Sequence, residues 1–247
     1  MLYNFSTISE IDSHEPTTWI DKLFLTFDID WAHDEVLKDT LSLIDETSVP
    51  ATWFVTHATP VLDEIRALQS QELGVHPNFN PLLDGVANNG NNAKVIINAL
   101  LSVVPGAKSI RSHSMTQSSR LLDLFISCEL THDVNHFIPQ NAGIELKPWL
   151  WWNRLCKVPY FWEDDLHVLQ DAIGITQTDP AVLATTAGGL KVFDFHPIHV
   201  FLNTESLDRY ERTRHLHHNP KELTKHRYEG YGTRNRLIEL LELAKKI

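Results

Sequence analysis

The chain has 247 residues, 43% of them hydrophobic, and its 21 basic and 32 acidic residues give a formal charge of -11. That length and apolar content allow one large buried core, and the acidic balance argues against the attraction to phosphate backbones on which nucleic-acid binding rests. Cys128 and Cys156 form no C-x-x-C pattern, so neither a disulfide framework nor a thiolate zinc site is indicated, and two unpaired thiols fit a reducing cytoplasm.

The first residues, MLYNFSTISEIDSHEPTTW, include acids and lack a basic start followed by an apolar core, so no secretory signal is expected. No run reaches the roughly 18 apolar residues of a membrane span. A buried strand is expected over 23–27, followed by a helix over 34–47, where Val36, Leu37, Leu41 and Ile44 recur at helical spacing. The alternation then repeats, with a strand over 51–55 (ATWFV) and a helix over 59–69 whose Pro60 suits a first turn. Short apolar runs at 73–75, 109–110, 131–133, 157–160 and 192–195 are separated by helical patterns at 92–103 and 117–128. Segments 84–92 and 176–189 read as loops, 205–231 as a polar, His-rich tail, and 233–246 as a final helix capped by Thr233. Strands alternating with helices imply a mostly parallel sheet, open or closed into a barrel, in a single α/β domain over 1–247. Its core is expected over about 23–203, with a C-terminal loop and helix over 204–247.

Four segments carry candidate chemistry. In LFLTFDIDW, Asp28 and Asp30 end an apolar run; extended backbone would point both to one side, where two carboxylates repel unless a cation or proton lies between them. The plainer alternative is a pair of helix-capping acids. In GVHPNFNP, His76 and Asn80 stand four apart and would aim at one point across a helical turn, completing an N/O site for a divalent ion such as zinc. In SIRSHSMTQSSR, Arg111 leaves a short strand and can orient a carboxylate, while His113 adds an imidazole. In VFDFHPIHVFLN, His196 and His199 follow a strand, with Asp164 and Asp165 upstream in PYFWEDD; a strand-end His with a carboxylate partner suits a general acid.

In this order the segments resemble the polysaccharide deacetylases, the NodB-like proteins of carbohydrate esterase family four. TFDID is similar to the family's T-F-D-D-G motif, ELGVHPNFNP to H-S/T-x-x-H, IRSHSMTQSSRLLDLF to the Arg-Pro-Pro-aromatic-Gly turn and its helix, and FDFHPIHV to the last, strand-ending His motif. The likeness runs from Leu23 to Asn203 and is most similar to the WbmS-like branch, associated with bacterial surface polysaccharides. It implies a distorted (β/α) barrel of seven or eight strands with one divalent metal, usually zinc. By position it makes Asp28 the general base, Asp30 and His76 metal ligands, Arg111 the residue orienting the base, His196 the general acid, and Asp164 or Asp165 the carboxylate tuning that acid.

Three departures stand out. The acids are spaced Asp-Ile-Asp, Asn80 replaces the second metal His, and Ser112-His113 replaces the prolines of the third motif. An amide oxygen is a poorer zinc ligand than imidazole, so Asn80 holds the metal loosely, or a harder ion binds, or His113 or His199 substitutes. Substrate would meet His113, Ser114, Trp162 and His199, with a backbone N–H near Ser114 facing the oxyanion. The aromatic run PWLWWN at 148–153, with Phe161 and Trp162, stacks on sugar rings or fills core, and HLHH at 215–218 reads as solvated loop. The resemblance implies removal of an N-acetyl or N-formyl group from a sugar. The alternatives are a deacylase of a small non-carbohydrate amide and a non-catalytic sugar-binding protein with a degenerate metal site.

Overall fold

The computed structural model describes residues 3–85, 92–175 and 178–244. Its strands are β1 (Asn4–Ser6), β2 (Lys22–Asp28), β3 (Ala51–Val55), β4 (Gln71–Val75), β5 (Ser109–Ile110), β6 (His132–Asp133), β7 (Trp149–Leu150), β8 (Cys156–Lys157), β9 (Trp162–Glu163) and β10 (Lys191–Phe195). They form one sheet in the order β7-β8-β6-β5-β4-β3-β2-β10-β9, with β1 beside the start of β2. Only β7 runs antiparallel to its neighbour.

Closure comes from one short stretch. Residues 156–163 pair with β6 at their start, bridge Phe137 through Tyr160, and pair with β10 at their end, so β8 and β9 are two halves of one wall strand. Counting that stretch once, seven parallel strands form a ring: a distorted (β/α) barrel. The helices connecting successive strands lie outside it, as parallel pairing demands.

Alternation along the strands separates two environments. Phe27 stacks on Trp53 at 4.3 Å and approaches Phe195 at 6.3 Å on one face. Thr26, Asp28, Phe54 and Asp194 occupy the other, where Arg111 meets them. The helix Asp34–Thr47 buries Val36, Leu37, Leu41 and Ile44, and the His33 ring accepts the Glu35 N–H at its start. Asp28 and Asp30 therefore cap nothing.

The sequence-based boundaries shift where side chains take over backbone duties. The helix expected over 59–69 is Val61–Ala67, because the Thr59 hydroxyl accepts the Val61 N–H and holds the entry turn open. Asn92 and Ser118 cap helices Ala93–Val103 and Ser119–Ser127. Thr233 is the first residue of its helix and not the cap; its hydroxyl donates to the Thr204 carbonyl, and the described helix ends at Glu242. The expected tail over 205–231 folds into helices Leu207–Thr213 and Pro220–Leu223, and the loop expected over 176–189 contains helix Pro180–Thr186. Helices Asp164–Ala172 and Pro197–Leu202 have no counterpart in the sequence-based assignment. Residues 86–91 and 176–177 of the two expected loops lie outside the described residues. Among those described, no helix is long and apolar enough to cross a membrane.

Gly74 is required by close approach. A Cβ there would lie 2.5 Å from Ser109 Oγ and 2.8 Å from the Phe54 ring, inside the barrel. Gly74→Ala is expected to destabilise the fold by about 1–3 kcal/mol through overpacking, read as a lower urea midpoint with an unchanged slope.

Candidate active site

The carboxyl ends of the barrel strands collect the charged side chains. Arg111, one residue past β5, is 1% exposed, and its guanidinium lies between the Phe54 and Tyr160 rings at 4.6 and 4.5 Å. It donates to Asp28 Oδ1 at 2.9 Å, to Asp194 Oδ1, to Thr26 Oγ1 at 3.1 Å and to the Val134 carbonyl at 3.2 Å. Burial opposes the guanidinium charge, but Asp194 and Asp28 overcome it and raise its pKa. One cation shared by two acids leaves one acid under-compensated. Burial pushes the Asp194 carboxyl up to about 7, with Arg111 opposing and Asp28 adding to the rise.

Beside this pair, three donor atoms converge. Asp30 Oδ1 lies 3.3 Å from His76 Nε2 and 3.3 Å from His113 Nδ1, and the two ring nitrogens are 3.3 Å apart. Bonds of roughly 2.0–2.1 Å in a tetrahedral array place neighbouring donors about 3.3–3.4 Å apart, so this triangle fits a divalent ion with a fourth position open. Asp30 Oδ1 is also buried without a hydrogen-bond partner. His76 Nδ1 faces Asp28 Oδ2 at 3.5 Å without a hydrogen bond to it. Burial opposes ionisation of Asp30, yet the facing His113 and His76 rings hold its carboxyl well below the usual range.

Local structure produces this convergence. Asp30 lies past the end of β2 with φ 35°, so a left-handed turn directs it, and strand alternation does not. His113 is held by its N–H on the Pro77 carbonyl at 3.0 Å, beside the loop that carries His76. The loop that carries His113 is anchored by the Ser112 N–H on Asn135 Oδ1 at 2.7 Å. Asn135 in turn donates to Asp133, which is paired with the fully buried Lys157.

His196 closes the opposite side. Its Nδ1 meets Asp164 Oδ1 at 2.7 Å, its backbone N–H donates to Asp164 Oδ2 at 2.9 Å, and its Nε2 faces Asp30 Oδ2 at 3.7 Å. Burial opposes the imidazolium, but Asp164 raises the pKa well above the ordinary histidine value. Asp165 lines the cavity with one buried, unpartnered oxygen, and burial together with Asp165 and Asp194 keeps Glu163 protonated far above the usual range. Among the described residues, two further groups could hold an ion, Asp28–Asp194–His196 and Glu163–Asp165–His196. Arg111 already supplies the cation in the first, and in the second His196 is engaged by Asp164.

A cavity of about 130 Å³ thus brings together Asp28, Asp30, His76, Arg111, His113, Ser114, Asp165 and His196. Asp164 is buried behind His196. Asn80 does not line the cavity: its amide donates to Ser114 Oγ at 3.1 Å, and its Oδ1 accepts from the Thr116 hydroxyl at 3.4 Å. Trp162 is not on the cavity wall either; it packs beneath it, 4.8 Å from Phe195 and 5.5 Å from His167. His199 borders a neighbouring cavity, with Nδ1 against Thr204 Oγ1 at 3.0 Å. Trp149 packs on His136, Trp151 on an exposed Trp152, and the 148–153 run lines neither cavity. The HLHH stretch is only partly solvated loop, since His217 is half-buried and, with His218, borders the neighbouring cavity.

Asp194, Glu163 and Tyr160 were missed. The signal for Asp194 is present in VFDFH: an acid two residues before a strand-end His, inside an apolar strand, shares its face. Glu163 directly precedes the acid pair, but sequence alone does not say which of three consecutive acids turns inward.

The profile of the WbmS-like polysaccharide deacetylases matches residues 25–214. The chain belongs to the WbmS-like polysaccharide deacetylase family. A crystal structure from Bordetella bronchiseptica, of a candidate polysaccharide deacetylase involved in O-antigen biosynthesis, is 45% identical, covers 99% of this chain and 98% of its own, and superposes with a TM-score of 0.89. A candidate polysaccharide deacetylase from Mycobacterium smegmatis is 18% identical over 80% of this chain and 82% of its own, with a TM-score of 0.47. A pseudoenzyme of carbohydrate esterase family four from Bacillus anthracis is 14% identical over 85% and 62%, with a TM-score of 0.38. No curated protein matches the sequence.

In this member of the WbmS-like polysaccharide deacetylase family the Arg111 cluster stands or falls on one cation. Arg111→Met leaves Asp28 and Asp194 buried face to face, an expected cost of about 3–5 kcal/mol. Adding Asp194→Asn should recover part of it in urea titration; a single-variant loss below about 1 kcal/mol would contradict the buried-pair account.

Proposed function

We propose that this chain is a metal-dependent amidohydrolase that removes an N-acetyl or N-formyl group from a sugar serving as a precursor or unit of a bacterial surface polysaccharide. One observation carries the reading: the donor triangle of Asp30, His76 and His113 has a carboxylate held by Arg111 on one side and an imidazole held by Asp164 on the other. The Bordetella bronchiseptica protein described as involved in O-antigen biosynthesis, 45% identical, supports the substrate class.

Asp30, His76 and His113 would hold the ion, and two imidazoles with a carboxylate suit zinc. Such an ion supplies Lewis acidity that makes water acidic and polarises an acyl carbonyl. Arg111 engages Asp28 Oδ1 and leaves Oδ2 as the oxygen that takes a proton from the attacking water. Asp164 fixes His196 with its Nδ1 side engaged and its Nε2 toward the cavity, where a protonated ring donates to the departing amine. Ser114 lines the cavity, and a backbone N–H near it would receive the charge that develops on the acyl oxygen. Asn80 supports this loop through Ser114 and Thr116, a role its hydrogen bonds favour over ligation. Asn80 as third ligand would leave a degenerate metal site, but His113 supplies the donor that Asn80 does not.

Asp28→Asn and His196→Ala should each lower turnover of N-acetylated or N-formylated sugars by about 10²- to 10⁴-fold while retaining zinc in metal analysis of the purified protein. Asp30→Ala and His113→Ala should lose the metal, and Asn80→Ala should keep it. Unchanged turnover in Asp28→Asn, or stoichiometric zinc in His113→Ala, would sink these assignments.

A further inference from the structure

A second cavity, of about 540 Å³, opens directly from the first. The two share Asp30, His113, Asp165 and His196, so whatever fills the larger one lies against the reacting groups. Its outer wall is built by helix Leu207–Thr213 and the turn after it, which present Tyr210, Arg214, His217 and His218. A ladder of rings links the two walls: His196 to His199 at 5.8 Å, His199 to Tyr210 at 4.7 Å, and Tyr210 to His217 at 4.8 Å.

That outer wall gathers basic side chains in an otherwise acidic molecule. In a chain of net charge -11, an anionic ligand meets a repelling field over most of the surface. Here a guanidinium and two imidazoles gather at one end of a cavity, with Glu211 as the acid on that wall, 3.4 Å from Arg214 and exposed. Burial depresses the His217 pKa to about 4, and His199, His218 and Arg214 add to the depression. His217 is therefore neutral at pH 7 and offers a ring N–H donor, while Arg214 keeps its charge beside the exposed Glu211. Trp31, 39% exposed and edge-on to His113 at 5.2 Å, lines the same cavity and offers an apolar face to a sugar ring.

We infer that the larger cavity seats an N-acyl sugar bearing an anionic substituent, with the ring against Trp31 and the anion received by Arg214, His217 and His218. This rests on the deacylase reading and narrows its substrate class. The anion is a carboxylate on the sugar itself, as in a uronic acid, or a phosphate at its anomeric carbon, as in an activated sugar. Both use the same charge-assisted hydrogen bonds.

The test is calorimetric titration of the zinc-supplied Asp28→Asn protein with N-acetylglucosamine, its 1-phosphate and N-acetylglucosaminuronic acid. At least one anionic probe should bind roughly tenfold tighter than the neutral sugar, as expected for one hydrogen bond to a charged group. That preference should weaken with added salt and shrink to about twofold or less in Arg214→Ala/His218→Ala, whose two positions are exposed. A phosphate preference identifies an activated sugar, and a carboxylate preference a uronic acid. Equal binding of all three probes, a preference that survives the double substitution, or no binding of either anion at millimolar concentration would overturn the inference. Failure of the wild type to hydrolyse any N-acyl sugar would sink the deacylase reading separately, because binding to Asp28→Asn requires no turnover.

Discussion

The guanidinium of Arg111 is the constraint around which the barrel interior is arranged. It replaces apolar packing at the centre of a seven-strand ring, stacked between two aromatic rings and tied to two carboxylates, a hydroxyl and a carbonyl. A buried charge is tolerable only when its donors are satisfied and its partners are close. Six demands follow for the surroundings: acids at Asp28 and Asp194, a hydroxyl at Thr26, flat rings at Phe54 and Tyr160, and room for Phe54, which Gly74 provides. Only one of these six residues, Asp28, also faces a proposed chemical step, so most of this polar core serves to hold one carboxylate in place.

Much of this was legible because strands and helices obey periodicities that need no tertiary information. The apolar runs at 23–27, 51–55 and 192–195 are strands, and the acids and histidines at their ends lie together at one mouth of the barrel. What was not legible is long-range in origin. Residues 156–163 close the ring by pairing on two sides, and no local pattern reveals that one short run serves two neighbours. The helices at Leu207–Thr213 and Pro220–Leu223 are polar and short, held by tertiary contact in place of an amphipathic stripe.

The site repeats that division. The spacing of His76 and Asn80 suggested one ligand set from one helical turn, whereas the third donor atom comes from another loop, brought in by His113 N–H on the Pro77 carbonyl. Asn80 and His113 have in effect exchanged tasks: the amide ties the two loops together and the imidazole points inward. Local spacing identifies residue types able to bind a metal; only the loop-to-loop hydrogen bonds decide which of them arrive. Trp162 illustrates the converse: in an aromatic-rich segment it suits a sugar platform or the core, and Phe195 and His167 enclose it under the barrel wall.

The pairing of β2 with β10 joins Leu23 to Lys191, the widest sequence separation of the strand pairings described. The links from β2 through β5 connect sequence neighbours and bring Asp30, His76 and His113 together, so that half of the site is encoded in the first part of the chain. His196 and Asp164 join it only when the distant β10 docks, which carries the largest loop-closure cost in the sheet. On a ribosome the two halves are separated in time. A nascent chain acquires the donor triangle proposed for an ion well before it acquires the imidazole that would complete the proposed reaction.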